Sequence, residues 1–364
     1  MQRIGLVTCA MMVLASAGWT DDKSRPPSEL GRQIAELEAA FDRDLQRALA
    51  DYRSADDEGR AAIRDRAFRL APDYADRILK AMSAHPGDPA TAAGLVWIAT
   101  VSQRRNLPPP PQAEPAFDRL VRDFLASPDI VGLLPLLETR PDGEAVLRRV
   151  LDKNTNPPVR AHAAFSLGAV LADDERGATP ERLAEAERVL DSALAAARAI
   201  PNFATDRIKS AEGLLFEVRH LSVGKTAPEL ECSDLAGKPA RLSDLKGKVV
   251  VLDFWTTDCI PCRAMIPHER QLVQRHAGKP FALVSICADP EKESLNRFLK
   301  NEPMPWTHWW AGENSGVLDK WNVRLFPTIY VIDTKGTIRF KNVRDKKLDE
   351  SVETLLKEVE AKKN

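Results

Sequence analysis

Residues 248–262 read KVVVLDFWTTDCIPC, an apolar run that ends in two cysteines two residues apart. The run 248–255 has the length of one strand and is apolar at nearly every position, which is typical of a strand buried on both faces. We predict a helix over 260–275, so Cys259 lies where a buried strand ends and a helix begins. A thiolate there meets free backbone N–H groups and the positive end of the helix dipole. Pro261 fits the first helical turn, where its missing N–H has no cost.

The chain on either side of this stretch alternates strands and helices. The Trp-rich segment around 306–310 flanks a further short strand. Two late strands are joined by a tight turn at 334–336, which contains a glycine. The pattern predicts a β-hairpin within 228–247, strands at 248–255, 281–287, 328–333 and 337–342, and helices at 260–275, 291–301 and 349–362.

Two cysteines at this spacing have three chemical interpretations. A zinc site needs a second pair of ligands, but Cys232 and Cys287 are single and the nearby histidines have no paired spacing. A purely structural disulfide would close a ring of only four residues and constrain the unfolded chain little. The strand-to-helix position therefore favours a redox-active pair, and we predict neither a metal nor a cofactor.

The first part of the chain has a different composition. Before Gly224 there are 4 Lys and 25 Arg, whereas from Gly224 onward there are 15 Lys and 8 Arg. Apolar residues recur at helical spacing over 28–220, in segments about one helix long that Pro, Gly or Asp separates. We predict an all-helical domain there that resembles tetratricopeptide- or HEAT-type arrays without a strict repeat. A partner-binding surface and a simple spacer both remain open as its role.

The N-terminus predicts export. Residues 1–17 combine one early Arg, a short apolar run and a small-x-small site, which is the pattern of a secretory signal peptide. Residues 18–27 would be a linker, and a retained membrane anchor is the alternative. The expected location is the periplasm or cell envelope, where disulfides can form. A formal net charge of −1 gives no general attraction to nucleic acid, and we predict no nucleic-acid partner.

The combination of DFWTTDCIPC (253–262), the lead-in at 223–255 and NVRLFPTIYVIDTKGTI (322–338) resembles the thioredoxin superfamily, in its TlpA/ResA-like branch of exported thiol-disulfide reductases. The resemblance covers residues 223–361. It implies an α/β thioredoxin-like fold, which has a central mixed sheet and an N-terminal β-hairpin. Here that fold follows the all-α domain over 28–220.

The resemblance also implies roles for individual residues. Cys259 matches the surface nucleophile and Cys262 the buried resolving thiol, and the two form the redox disulfide. Pro327 matches a proline that is cis in this fold and faces the dithiol, while Phe326 would offer its backbone to an extended substrate. Substrate contact is expected from a set of four residues near the dithiol: Trp255, Pro261, Phe326 and Pro327.

Two acidic residues complete the predicted site. Asp253 matches the buried acid that thioredoxins carry behind the second cysteine, where it could hold or relay a proton to Cys262. Asp258 departs from the large neutral residue common before the first cysteine. A carboxylate there disfavours the Cys259 thiolate and favours a reducing couple, unless its side chain swings into solvent.

The leading functional hypothesis is an exported thiol-disulfide oxidoreductase that reduces protein disulfides. Its partners would be disulfide-containing exported proteins, a thiol relay in the membrane as electron donor, and a protein bound by the helical domain. The first alternative is a peroxiredoxin-like thiol peroxidase, because Thr256-x-x-Cys259 fits half of that pattern, although Leu252 replaces its proline. The second is a helical interaction protein that uses the thioredoxin-like domain for docking.

Overall fold

The computed structural model describes residues 27–173, 176–312 and 316–361. The predicted signal peptide at 1–17 and residues 18–26 of the predicted linker lie outside the described residues. The chain divides into two compact units, with the boundary between Val170 and Leu171. None of the described helices combines the length and the apolar character that a membrane span requires.

The N-terminal unit consists of helices that pack through their apolar residues, and one of them is buried at nearly every position over residues 91–102. Ser28 caps the first helix, where its Oγ accepts a hydrogen bond of 3.0 Å from the backbone N–H of Gly31. Phe41 is fully buried and contacts Trp97 edge to face, with ring centroids 5.1 Å apart. The unit contains α1 (Glu29–Ser54), α2 (Asp57–Ala84), α3 (Thr91–Arg105), α4 (Ala113–Asp123), a 3₁₀ turn (Pro128–Leu133), α5 (Leu134–Leu137), α6 (Gly143–Lys153) and α7 (Pro157–Leu171), which reaches the boundary.

The C-terminal unit combines two further helices with a sheet and the helices that cover it. Its elements are α8 (Pro180–Arg198), α9 (Thr205–His220), β1 (Glu231–Asp234), β2 (Pro239–Arg241), a 3₁₀ turn (Leu242–Leu245), β3 (Val249–Trp255), α10 (Ile260–Arg275), β4 (Phe281–Cys287), α11 (Lys292–Asn301), β5 (Thr307–Trp310), α12 (Val317–Lys320), β6 (Thr328–Ile332), β7 (Ile338–Lys341) and α13 (Asp345–Ala361).

The seven described strands form one sheet in the order β2-β1-β5-β4-β3-β6-β7. Strand β3 pairs in parallel with β4 and antiparallel with β6, so it lies in the interior of the sheet. Strands β1 and β2 form the antiparallel hairpin at one edge. The predicted thioredoxin-like fold, with a mixed sheet and an N-terminal hairpin after an all-helical region, is confirmed.

Strand β3 is buried on both faces because its side chains alternate between two apolar layers. Val250, Leu252 and Phe254 pack on one face in the cluster that contains Trp321 and Tyr330. On the opposite face, the alternate positions Val249 and Val251 pack with residues of α10 and α13. Asp253 shares this second face, since it lies two residues beyond Val251 on the strand.

Helices α8 and α9 cluster with the sheet rather than with the preceding helices. Phe216 of α9 packs against the core cluster of the sheet, and Leu221, which follows α9, is a fully buried member of that cluster. The change in composition near residue 221 therefore marks the start of the sheet, whereas the compact unit already begins at Leu171. The predicted bounds of the helical domain, 28–220, differ from this division by two helices.

Candidate active site

The two cysteines form a disulfide at the start of α10. Cys259 is the N-cap residue, and its Sγ accepts a hydrogen bond from the backbone N–H of Cys262 at 3.2 Å. Pro261 lies in the first turn, as predicted. Cys259 is partly exposed, whereas Cys262 is only 4% exposed. A dissolved substrate can therefore reach the outer sulfur, while the inner sulfur is shielded from it.

The loop that connects β3 to Cys259 is anchored to the end of β4. Asp289 is buried and accepts two hydrogen bonds from Thr257, at 2.9 Å from its backbone N–H and at 2.6 Å from its hydroxyl. The backbone N–H of Ala288 also donates to the carbonyl oxygen of Trp255 at 2.9 Å. These bonds hold the loop, and with it the outer cysteine, at the carboxyl ends of the parallel strands β3 and β4.

Asp253 is a buried carboxyl on the face of β3 that α10 covers. It is 4% exposed, and its Oδ2 accepts one long hydrogen bond of 3.4 Å from Ser285, while its Oδ1 has no hydrogen-bond partner. Trp306 donates its Nε1–H to the Ser285 hydroxyl oxygen at 2.8 Å. Burial raises the pKa of Asp253 to about 7, although the Ser285 bond and the charge of Arg344 act against this rise.

Glu269 is a second buried carboxyl, which the sequence prediction missed. It is 1% exposed, and its Oε1 has no hydrogen-bond partner. Burial and the charge of Asp253 raise the pKa of Glu269 well above its ordinary value. The helical spacing contains a signal for it, because the buried positions of α10 are Cys262, Met265, Ile266, Glu269 and Leu272. Burial therefore disfavours the ionised form of both carboxyls.

The segment before β6 lies against the same site. The Phe326–Pro327 peptide bond is cis, as the resemblance implied. Phe326 packs against the apolar cluster that contains Trp255 and Cys262. Leu325 is 78% exposed, and Ile260, between the cysteines, is 67% exposed. The disulfide is thus flanked by accessible apolar side chains on two separate segments of the chain.

Asp258 is exposed, but its carboxylate has a partner. Its Oδ1 accepts a hydrogen bond of 2.7 Å from the Thr256 hydroxyl. This bond ties the Asp258 side chain to a residue two positions away on the same loop.

The other two cysteines in the described residues are free thiols. Burial raises the pKa of both, to about 12 for Cys232. Neither is therefore activated as a nucleophile. Within residues 27–173, 176–312 and 316–361, no three His, Cys, Asp or Glu side chains are grouped so that they could hold a metal ion.

Comparison with known proteins agrees with this geometry. Residues 223–341 match the AhpC/TSA family. The thiol-disulfide oxidoreductase ResA of Geobacillus kaustophilus is 30% identical over 119 residues, which are 33% of this chain and 68% of that protein. The thioredoxin-like protein YneN of Bacillus subtilis is 32% identical over 119 residues, which are 32% of this chain and 68% of that protein.

Among solved structures, the thioredoxin domain of a thiol-disulfide oxidoreductase from Bacteroides vulgatus is 27% identical, with a TM-score of 0.36 over 37% of this chain and 98% of that one. The assignment of the chain to a protein family rests on the sequence relatives, on the order of its strands and helices, and on the disulfide at the start of α10. Through its C-terminal part, the chain belongs to the thioredoxin-like thiol-disulfide oxidoreductases related to ResA.

Proposed function

We propose that the protein is an exported thiol-disulfide oxidoreductase that reduces disulfides in other proteins. The observation that supports this most directly is the asymmetry of the dithiol, with the outer Cys259 partly exposed and the inner Cys262 only 4% exposed. An accessible sulfur serves attack on a large substrate, and a shielded one serves release of the product.

The reaction begins with the reduced enzyme. The Cys259 thiolate attacks one sulfur of the substrate disulfide, so that the bond between the two substrate sulfurs breaks and a mixed disulfide forms. The first substrate sulfur leaves as a thiolate and takes a proton from solvent. The N-cap position of Cys259 stabilises the attacking thiolate through the N–H of Cys262 and the helix dipole.

The second step resolves the mixed disulfide. Cys262 transfers its thiol proton to the Asp253 carboxylate, whose pKa of about 7 suits proton exchange at neutral pH. The resulting thiolate attacks the Cys259 sulfur, the disulfide in this structure forms, and the second substrate thiolate leaves. The substrate gains two electrons and the enzyme loses two, which a dithiol donor must return.

The partners in this proposal follow from that cycle. The substrates are exported proteins with a disulfide in an accessible, extended segment. The electron donor is a thiol relay in the membrane, and the helical N-terminal unit would bind a protein partner. Two of the four residues expected to contact the substrate are accessible, since Pro261 is exposed and Phe326 is half-buried. Trp255, at 1% exposure, and Pro327 are buried, so their side chains support the site from below.

Trapping the mixed disulfide tests the proposal. In Cys262→Ala, the first step proceeds but resolution fails, so substrate proteins remain covalently attached and can be identified after non-reducing electrophoresis. In Cys259→Ala, the outer nucleophile is missing and no adduct forms. Adducts with both variants, or with neither, would contradict the assigned order of the two cysteines.

A thiol peroxidase is the second candidate, and one contact argues against it. The Thr256 hydroxyl donates to Asp258, so it is not directed at the Cys259 sulfur. Faster turnover of hydrogen peroxide than of insulin disulfides would nevertheless reverse the ranking. If a Cys259→Ser/Cys262→Ser variant kept full activity in the organism, the C-terminal unit would serve for docking and not for catalysis.

A further inference from the structure

Helix α9 contacts the segment that leads to the cis-proline. Asn322 donates its side-chain N–H to the carboxylate of Glu217, and Arg324 donates to the backbone carbonyl of Ser210. Arg324 also donates from Nε to the Asn322 side-chain oxygen at 3.0 Å. Two positions of α9 that lie about two turns apart are therefore tied to residues 322–324 of the segment.

A glycine makes this approach possible. A Cβ atom added at Gly213 would lie 2.4 Å from Oδ1 of Asn322 and 3.2 Å from Nη2 of Arg324. The first distance is far below van der Waals contact. A side chain at position 213 would displace the ends of the Asn322 and Arg324 side chains, which are the groups that tie the segment to α9. Asn322 itself has φ of 47°, in the left-handed region that asparagine adopts more readily than most residues.

The same helix holds the neighbouring strand. Glu217 forms an ion pair with Lys341 at the end of β7, and the Lys341 side chain is only 7% exposed. Lys341 also lies over the Tyr330 ring of β6, with Nζ 5.7 Å from the ring centroid. The Glu217 carboxylate thus links α9 to β7 and to the segment at once, and a shielded ion pair of this kind is costly to break.

The tied residues are continuous with the rim of the active site. Arg324 is followed directly by Leu325, which is 78% exposed, and by Phe326, which packs against the cluster around Cys262. Beyond the cis peptide bond, Arg344 donates to the Pro327 carbonyl at 3.2 Å. Residues 325–327 are therefore held on one side by α9 and on the other by Arg344.

We propose that α9 is a positioning element for residues 325–327, with Gly213 and Arg324 as positioning residues, and that it sets the affinity for an extended disulfide-containing protein substrate. This inference rests on the proposed function, because it takes 325–327 as the segment that the substrate contacts. Neither residue touches the disulfide, so the chemistry of the cysteines is independent of them.

Substitution of Gly213 by Ala tests the inference. Alanine favours the helix itself, so α9 is not weakened by the change. The KM for a protein disulfide should rise roughly tenfold, since a displacement near 1 Å at a binding element is enough for such a loss. The kcat, the redox potential and the reaction with a small aromatic disulfide should stay within about twofold of the wild type, because they depend on the cysteines. Ser210→Ala is the matched control, since it retains the carbonyl that Arg324 contacts.

A second variant covers the case in which Gly213→Ala does not fold. Arg324→Gln adds no bulk and removes the bond to Ser210, and the same rise in KM is expected. Hydrogen–deuterium exchange of the peptide 322–328 should rise in both variants and not in Ser210→Ala. An unchanged KM in the folded variants would overturn the inference. So would equal losses with the protein and the small disulfide.

These measurements distinguish failure of the proposed function from failure of the inference about α9. If wild-type protein does not reduce protein disulfides at all, the proposed function fails, and the inference falls with it. If the wild type does reduce them and the variants match it in KM, only the inference fails.

Discussion

At the scale of single residues, burial gives the Asp253 carboxyl a pKa of about 7 in the folded state, compared with about 4 in an unfolded chain. The folded protein therefore binds more protons than the unfolded one between these two values. By linkage, the stability that this group contributes is fully present below pH 4 and is lost as the pH rises through 7. The stability contributed by Asp253 thus falls as the pH rises, whereas the stability contributed by a salt-bridged aspartate falls as the pH is lowered.

The first prediction follows from this linkage. Asp253→Asn should be more stable than the wild type at pH 8, by an amount on the order of 4 kcal/mol, and nearly equal to it at pH 4. Urea unfolding of the two proteins at both pH values measures the difference. Asp118→Asn, at an exposed position in the N-terminal unit, is the control and should match the wild type throughout.

Although Asp253→Asn should gain stability, it should lose activity. Asparagine cannot accept the proton of Cys262, so release of reduced product should slow by roughly 10²-fold, the usual range for loss of a general base. The rise of the wild-type rate through pH 7 should disappear. A variant that retains this pH dependence would show that another group accepts the proton.

Glu269 leads to a second prediction, because burial and the charge of Asp253 raise its pKa well above the ordinary value of a glutamate. Glutamine has nearly the shape of the protonated acid. Glu269→Gln should therefore resemble the wild type at pH 7 in stability and turnover. At alkaline pH it should be the more stable protein, since only the wild type must ionise a second buried carboxyl.

Unfolding free energies at pH 7 and pH 10 test this second prediction, with the exposed Glu291→Gln as control. A variant that loses the same stability as the wild type between the two pH values would contradict it.

A third prediction concerns the direction of electron transfer. We predict that the carboxylate of Asp258, which accepts a hydrogen bond from Thr256, disfavours the neighbouring thiolate and hence the reduced form. Asp258→Asn should make the couple more oxidising by roughly 10–20 mV, because an exposed charge contributes about 0.5–1 kcal/mol and 30 mV corresponds to about 1.4 kcal/mol.

Redox titration against glutathione measures this shift, and high salt should reduce it. A wild-type potential as oxidising as that of disulfide-forming enzymes would contradict the assignment as a reductase.

At the scale of elements, much of the C-terminal unit can be predicted from local sequence. Helix α10 and strand β4 have the bounds that the sequence predicts, because apolar runs and helical periodicity report burial directly. Strand β6 is one residue shorter than predicted. Asp333 turns its carboxylate to the N–H groups of Lys335 and Thr337 and so starts the turn.

A sequence shows that a helix has a buried face more readily than it shows which element covers that face. The periodicity of α9 shows that one side is apolar, but not that this side packs on the sheet instead of on the other helices. The same limit applies to the site. The two cysteines, Asp253 and the cis Phe326–Pro327 bond follow from motifs, whereas the approach of Glu269 to Asp253 depends on how α10 is placed across β3.

At the scale of the whole molecule, the division at Val170 and Leu171 predicts which fragments fold. A fragment that begins at residue 176 retains α8 and α9, whereas one that begins at residue 223 has the full match to the relatives but neither helix. The shorter fragment lacks Leu221, which is fully buried in the sheet's core, and Glu217, the partner of the shielded Lys341.

We therefore expect residues 223–364 to be less stable than residues 176–364 by at least about 3 kcal/mol, since a buried leucine contributes about 1.5–3 kcal/mol and loss of one partner from a buried ion pair costs more. Urea unfolding of both fragments, followed by tryptophan fluorescence, measures the difference. Glu217→Gln in the longer fragment separates the contribution of the ion pair from that of apolar burial. Equal stabilities would show that α8 and α9 lie on the sheet without supporting it, and that the thioredoxin-like fold begins near residue 223.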